Sequence, residues 1–587
     1  MTLPGSADAP GSAVSAERLQ ADLDHFSTLR RDTGSEGERQ AAEYVVDQLR
    51  SAGVEAEVLW FDSLISWPLE GTLAVLGEGG EEVERVFVRT RSFGVQTPPG
   101  GVTAELVYVP FREPEPGAMI FSHRAAAADY GDLDVRGKVA LTMDGGPDGI
   151  RRAEERGAAG HVHIWPSDER VTHEMIGTSV WGTPTPESAA RLPAIPVLGV
   201  DREAGTRLAE RCAAGPVLVR IESNVRTEWF RVPLATGWIP GREGGDFLLA
   251  GGHIDSWYEG VTDNATGDAA LLEMARVLAG RRSELRCGVR FCWWPGHSTG
   301  RYSGSTWFAD NWFGELRRHC LGYLNIDSPG VRGTTEFDCR YNCGEIEAVT
   351  AAAVEEVSGQ RPGIRRPLRA GDQSFLGVGL PSLGAFRMLA RDHPDRKAVG
   401  GSGGAWWWHS PEDTLDKADA DVLAEDVRIY LSMVLRVCGP DLLPYDFRPV
   451  ADDFLDRLGA YQQAAGVHVD LGEVIAAAER VREAAAALLD RPVPASAIAR
   501  RNEGLKRLSR LLNPVLFTVA GPYEMDPALQ LPVLPALAPV TELASLDGAS
   551  DRYRFLRTEL VRQRNRVHEA LLEAAESAAS LAAEVKA

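Results

Sequence analysis

Long hydrophobic runs are missing from this 587-residue chain: no stretch of about 18 uninterrupted apolar residues occurs, so no membrane partner is expected. The opening segment, Met1 to Ala16, also lacks the basic start and apolar run of a signal peptide, and a cytoplasmic protein is expected. Cysteine is sparse: seven scattered residues, an odd number, do not resemble a disulfide framework. Cys339 and Cys343 lie close together, yet no second pair stands at zinc-site spacing, so two buried thiols are expected. Positive charge is in deficit. Lys and Arg number 62 against 84 Asp and Glu, giving a formal charge of −22, and a nucleic-acid backbone would meet long-range repulsion, so no nucleic acid is expected as a partner. The excess acid reads as a solubilising surface.

What is present is ordinary for a large globular protein, with 44% hydrophobic and 25% charged residues, and the length points to several domains. Residues 1–15 are small and polar and read as a disordered N-terminus. From Ala16 to Gly53 two helical stretches flank the turn Thr33-Gly34-Ser35-Glu36-Gly37, in which Ser35 is placed to cap the second helix, and Val54 to Leu76 reads as strand. Between about 96 and 232 short strands alternate with turns, and His161, His163 and His173 in this stretch read as ordinary core or surface histidines. Apolar strands at Phe247–Ala250 and Val289–Trp294, with a helix over Gly267–Ala279 between them, predict a parallel sheet with crossovers. The Ala-, Leu-, Glu- and Arg-rich remainder, interrupted between Pro522 and Pro539, predicts helices. The resulting division is an α/β core from 16–95 and 233–440, a β-rich insert at 96–232, and a helical domain at 441–587.

Chemistry concentrates in Gly251-Gly252-His253-Ile254-Asp255-Ser256-Trp257 and Thr262-Asp263-Asn264-Ala265-Thr266-Gly267. His253 and Asp263 follow a buried strand and precede a helix, the place where open α/β sheets assemble their sites. Imidazole with carboxylate suits zinc, and the two oxygens of Asp263 suit it to bridge two cations. Asp255, two residues from His253, is positioned to fix the imidazole tautomer through its carboxylate.

These segments resemble the zinc-dependent exopeptidases that include glutamate carboxypeptidase II. The shared features are the run His253-Ile254-Asp255-Ser256, Asp263 ten residues beyond the histidine, Asn325-Ile326-Asp327, and His409-Ser410-Pro411-Glu412-Asp413-Thr414. Residues Leu133 to Leu141, Gly157 to Gly160 and Leu192 to Val197 are similar in order to a protease-associated domain. The resemblance implies a mixed, mostly parallel sheet, a protease-associated domain at 96–232, and a C-terminal helical domain of the kind through which relatives form homodimers. It further implies that His253 and Asp327 hold one metal, that His409 and a fifth ligand hold the other, and that Asp263 bridges them. The expected cofactor is one or two zinc ions.

One motif departs from the family. Relatives carry two adjacent glutamates after the strand that here ends in Trp293-Trp294, the first a general base and the second a metal ligand; this chain reads Pro295-Gly296-His297. His297 is the best candidate for the fifth ligand, because Ser298 and Thr299 bind zinc poorly. An imidazole there moves the preference toward later transition metals and admits copper, nickel or iron. Three repairs of the lost base are open: His297 shuttles the proton, Glu259 or Asp372 reaches in, or the reaction is a different one. The leading reading is a metal-dependent hydrolase of the zinc exopeptidase type, a metallopeptidase or amidohydrolase cleaving a peptide or an N-acyl amino acid. The others are a metalloenzyme transforming a small amino-acid-derived metabolite without a glutamate base, and an inactive binding or scaffold homologue. Trp406-Trp407-Trp408, Trp257 and Tyr258 are candidates for an aromatic pocket, and Arg301, Arg332 and Arg387 for carboxylate binding.

Overall fold

The structure is a computed structural model; it describes residues 13–110, 130–490 and 492–583. Most of the expected N-terminal disorder, residues 1–12, lies outside the described residues. Helix α1 (Ala16–Phe26) is capped by Ser15, whose hydroxyl accepts from Arg18 N–H, and buries Leu19, Leu23 and Phe26 along one stripe. Helix α2 (Glu36–Ser51) starts as expected at Ser35, which accepts from Glu38 N–H at 3.2 Å. Glu38 reaches back to Gly34 N–H at 2.7 Å, so two orphan donors at the helix start are satisfied together.

Where the sequence predicted strands over 54–76, one 22-residue strand forms, β1 (Glu55–Leu76), paired antiparallel over nearly its whole length with β2 (Val217–Ile239). This ribbon joins two groups of strands. On one side β2 meets a parallel set built from residues 102–108, 139–142, 160–164 and 197–200. On the other side lie β3 (Phe247–His253), helix α3 (Thr266–Ala279), β4 (Gly288–Trp294), helix α4 (Ser303–Asn311), β5 (Cys320–Asn325) and β6 (Ser382–Leu383). Because β2 is continuous from 217 to 239, the sequence-based boundary at 232/233 falls inside a single strand, and both groups belong to one 12-stranded mixed sheet.

The sheet order β6-β5-β3-β4-β2 carries the functional consequence. β3, β4, β5 and β6 are parallel, and the chain leaves β3 for β4 on one side and then crosses to β5 on the other. Such a reversal opens a crevice at the carboxyl ends of the strands. His253 is the last residue of β3, Gly296-His297 follow β4 by a short turn, and Asp327 follows β5 by two residues. Behind them α3 is buried along almost its entire length and packs between the sheet and the helix at Ala420–Cys438.

The C-terminal helices at 448–465, 472–489, 498–517 and 551–583 pack beside this core. The contact is polar as well as apolar: Lys506 Nζ reaches Asp246 at 2.7 Å, and Arg510 donates to the carbonyl oxygens of Arg317 and Gly379. Among the described residues no helix is long and apolar enough to cross a membrane.

Gly252 permits the close approach of β3 to the turn after β5: a Cβ there would lie 2.3 Å from the Ile326 carbonyl oxygen. Backbone cannot rotate away, so Gly252→Ala is expected to cost about 1–3 kcal/mol through overpacking. A lower unfolding midpoint on thermal denaturation checks it, and an unchanged midpoint contradicts the tight register of β3 against the β5 turn.

Candidate metal centre

At the crevice, Asp263 stands between two imidazoles. His253 Nε2 is 2.9 Å from Asp263 Oδ1, and His409 Nε2 is 3.2 Å from Asp263 Oδ2. Asp327 Oδ1 lies 3.9 Å from the same His253 nitrogen. Each imidazole has its other nitrogen tied to backbone: His253 Nδ1 donates to the Asp255 carbonyl at 2.8 Å and His409 Nδ1 to the Glu174 carbonyl at 2.9 Å. Those bonds orient the rings and leave both Nε2 atoms facing Asp263. The Asp263 backbone is held in turn by Asp413, whose carboxylate accepts from the N–H groups of Thr262 and Asp263 at 2.9 and 3.1 Å. Asn264 ties the ends of two strands together, donating to the carbonyls of His253 and Ile326 at 3.2 Å and accepting from Ser328 N–H.

His297 enters beside His253. The two rings stack with centroids 3.9 Å apart, and single ligand atoms of His253, His297 and Asp327 lie within 4.8 Å of one another. Its Nδ1 is 2.6 Å from Asp372 Oδ2, while Asp372 Oδ1 accepts from Ser305 Oγ at 2.7 Å. The expected grouping set His297 with His409; the structure sets it against His253 and Asp327. The cause is Asp255. Its carboxylate accepts from His297 N–H at 3.0 Å, Ser298 N–H at 3.2 Å and Thr33 Oγ at 2.9 Å, and so folds the loop after β4 back over the end of β3. The tautomer-fixing role expected of that carboxylate is therefore taken by the Asp255 carbonyl, with the carboxylate 3.8 Å from His253 Nδ1.

Residues 236–434 match the sequence profile of Peptidase family M28. The match covers about a third of the chain. The chain is 27% identical over 441 residues to the protein named probable lipoprotein aminopeptidase LpqL of Mycobacterium tuberculosis, covering 70% of this chain and 82% of that one. It is 24% identical over 383 residues to the probable glutamate carboxypeptidase VP8 of Zea mays, covering 56% of this chain, and it spans about half, 52%, of that protein's length. Among solved structures, an aminopeptidase from Aneurinibacillus sp. strain AM-1 aligns at TM-score 0.57 and 22% identity, over 74% of this chain and 97% of that one. A zinc aminopeptidase from Bacillus subtilis aligns at TM-score 0.53 and 18% identity, over 75% and 97%. At these identities the structures establish a shared fold.

The remaining candidates separate. None of the contacts among the described residues joins the Glu259 carboxylate to the cluster; the Glu259 carbonyl accepts from Arg31 at 2.9 Å. Trp408 stacks on His409 with centroids 3.6 Å apart and lines the cavity over the cluster, whereas Trp407 packs against Val331 and Leu389, and Trp406 donates to Asp395. Trp257 meets His409 edge-on and Tyr258 hydrogen-bonds Glu174, so both face a neighbouring groove. Arg332 is held by Asp416 and Ala418 carbonyls and Arg387 by Asp426 and Glu425, which removes both from carboxylate duty; Arg301 lines the cavity. His161 is fully buried and burial pushes it down to about 3, so it stays neutral. His173 hydrogen-bonds Glu169 and the Trp408 carbonyl, tying the insert to the His409 loop. Glu174 had no signal in the sequence, because what it supplies is a backbone carbonyl.

The electrostatics fit a cation. Burial opposes the His253 imidazolium, but the hydrogen bond to Asp263 and the charges of Asp263, Asp327 and Asp255 outweigh it and raise it well above the usual range. Burial likewise opposes ionised Asp263, yet hydrogen bonds to His253 and His409 hold it well below the usual carboxylate range. Asp327 is raised by burial and by the Asp263 charge, which outweigh the opposing pull of His253 and His297.

Two outcomes follow. In the metal-free chain these groups favour the His253 imidazolium, and its share of stability, present below pH 6.5, is lost as pH rises through its raised value. A divalent ion needs the neutral imidazole, so binding is expected to release protons and to weaken as pH falls. Calorimetry in buffers of different ionisation enthalpy measures it, and zero release would contradict the assignment. Separately, Gly296 has φ +69°, and a Cβ there would meet Ser303 Oγ at 2.2 Å. Gly296→Glu is expected to lose about 1–2 kcal/mol from the left-handed backbone alone, seen as a lower unfolding midpoint.

Proposed function

We propose that the chain is a metal-dependent hydrolase of the zinc aminopeptidase type that cleaves a peptide or amide bond. One observation carries the reading: His253, Asp263, Asp327 and His409, drawn from two strand ends, the turn before α3 and a distant loop, converge with both Nε2 atoms directed at the same carboxylate. These four side chains would hold zinc, which would supply Lewis-acid activation of a carbonyl and of water at the site. Asp263 stands between the two imidazoles, 2.9 Å from one Nε2 and 3.2 Å from the other, and the carbonyls of Asp255 and Glu174 keep their Nδ1 protons in place. His297 takes the place of the relatives' second glutamate as a further ligand beside His253 and Asp327, with its Nδ1 proton held by Asp372. Trp408 and Tyr302 wall the cavity and exclude water from the reacting bond.

A second role for His297 is favoured by its link to Asp372, because a carboxylate-backed imidazole also accepts a proton from an attacking water. Metal content separates the roles. If His297 is a ligand, His297→Ala loses bound metal along with activity; if it carries the proton, the variant keeps its metal and loses turnover. For either role Asp372→Asn is expected to lower activity on an aminoacyl amide by about 10–100-fold, the range for partners that orient metal-site groups. Chelation is expected to abolish the activity and zinc to restore it. Hydrolysis that survives complete chelation would refute the reading.

A further inference from the structure

We propose that Arg301 is the recognition site for a carboxylate group on the substrate, beside the bond that the metal centre cleaves; this rests on the hydrolase reading above. Arg301 is only 8% exposed. Among the described residues no hydrogen bond or ion pair reaches its guanidinium, and its Nε is buried without a partner. The other deeply buried arginines differ. Arg31 donates to the carbonyls of Ile254 and Gly260, Arg369 pairs with Asp526, and Arg510 donates to Gly379. A guanidinium taken out of water without an anion is costly, and proteins keep such a group where something else supplies the anion.

Position says what supplies it. Arg301 lines the cavity that contains Asp263, Asp327 and His409, and it also lines the adjoining cavity that runs past Met175 and Ile176 toward Gly145 and Gly146. It therefore stands where the two meet. The other guanidinium of the metal-side cavity, Arg340, is occupied by Asp338 at 2.8 Å and by the Gly400 carbonyl. The Arg301 backbone is held: its carbonyl accepts from Gly182 N–H at 2.6 Å, and Tyr302 N–H donates to the His297 carbonyl at 3.0 Å. Arg301 and Tyr302 both have positive φ, 49° and 70°, and the Arg301 guanidinium lies 5.0 Å from the Tyr302 ring centroid. A side chain held this way meets its ligand with little further loss of freedom.

The charge around it selects the anion. Asp263 and Asp327 share one cavity and Asp144 and Asp148 the other, so a dianionic phosphate faces more repulsion than a single carboxylate. A carboxylate also matches the planar fork of the guanidinium with two parallel hydrogen bonds. The substrate class is thus a peptide or N-acyl amino acid carrying a carboxylate next to the scissile amide, either the terminal α-carboxylate or an acidic side chain.

Calorimetric titration of the zinc-loaded full chain tests this without turnover. The probes are N-acetyl-leucine, with an α-carboxylate; N-acetyl-glutamic acid α-methylamide, with only a side-chain carboxylate; and neutral N-acetyl-leucine methylamide. One of the two anions is expected to bind about 10–100-fold more tightly than the neutral amide, the range for a charge-assisted hydrogen-bonded pair, and which one does so names the carboxylate. Arg301→Met should erase the difference and Arg301→Lys retain part of it. Removal of an unpaired buried charge should leave the Arg301→Met unfolding midpoint unchanged or higher, and Arg301→Gln provides a second neutral variant. Equal binding of all three probes, or a preference that survives Arg301→Met because the carboxylate sits on zinc, overturns the proposal. Binding preference without any peptide turnover would leave Arg301 assigned while refuting the hydrolase reading, so the two failures are distinguishable.

Discussion

The buried carboxylate of Asp263 is the constraint around which the core is arranged. It is 7% exposed, and burial in so enclosed a place is tolerable only with cationic or hydrogen-bonding partners on both oxygens. His253 comes from the end of β3 and His409 from a loop far along the chain, and each reaches one oxygen. Asp413 and Asn264 then hold the backbone that carries the carboxylate and lock the ends of β3 and β5 to it. Glu174, from the inserted strands, supplies the carbonyl that orients His409, so the insert takes part in building the centre.

The loop after β4 is shaped by backbone conformation and by one carboxylate. Gly296 adopts a left-handed conformation that a side chain would strain, and the Asp255 carboxylate pins the next two N–H groups. His297 is thereby turned against His253, and the Asp372 carboxylate accepts a hydrogen bond from its Nδ1. The same loop continues into Arg301 and Tyr302, whose backbone brings a guanidinium and a phenol to the wall of the cavity. A short segment thus sets both the ligand shell and the charge that a substrate meets.

Much of the core was legible because its signals are local. The buried strands at 247–253 and 288–294, the intervening helix and the Ser35 cap lie within a few residues of their predicted bounds, since apolar runs and capping geometry depend on near neighbours. His253, Asp263, Asp327 and His409 were recognisable as a set only through their order along the chain. Glu259 was not separable from Asp372 by sequence, because which carboxylate approaches His297 is decided by loops that pack from different strands. Among the three tryptophans, only packing distinguished Trp408 at the cavity from Trp406 and Trp407 outside it.

The α/β class, the strand ends that carry the candidate ligands and the Gly296-His297 pair after Trp294 are written in the sequence. Those properties follow from periodicity and residue identity, which are encoded within short windows. The tertiary structure alone decided that the Asp255 carbonyl, and not its carboxylate, orients His253, that His297 faces His253, and that Arg301 is buried without an anion. Each of these depends on which groups remain unsatisfied after distant segments have packed, and no local pattern records that balance.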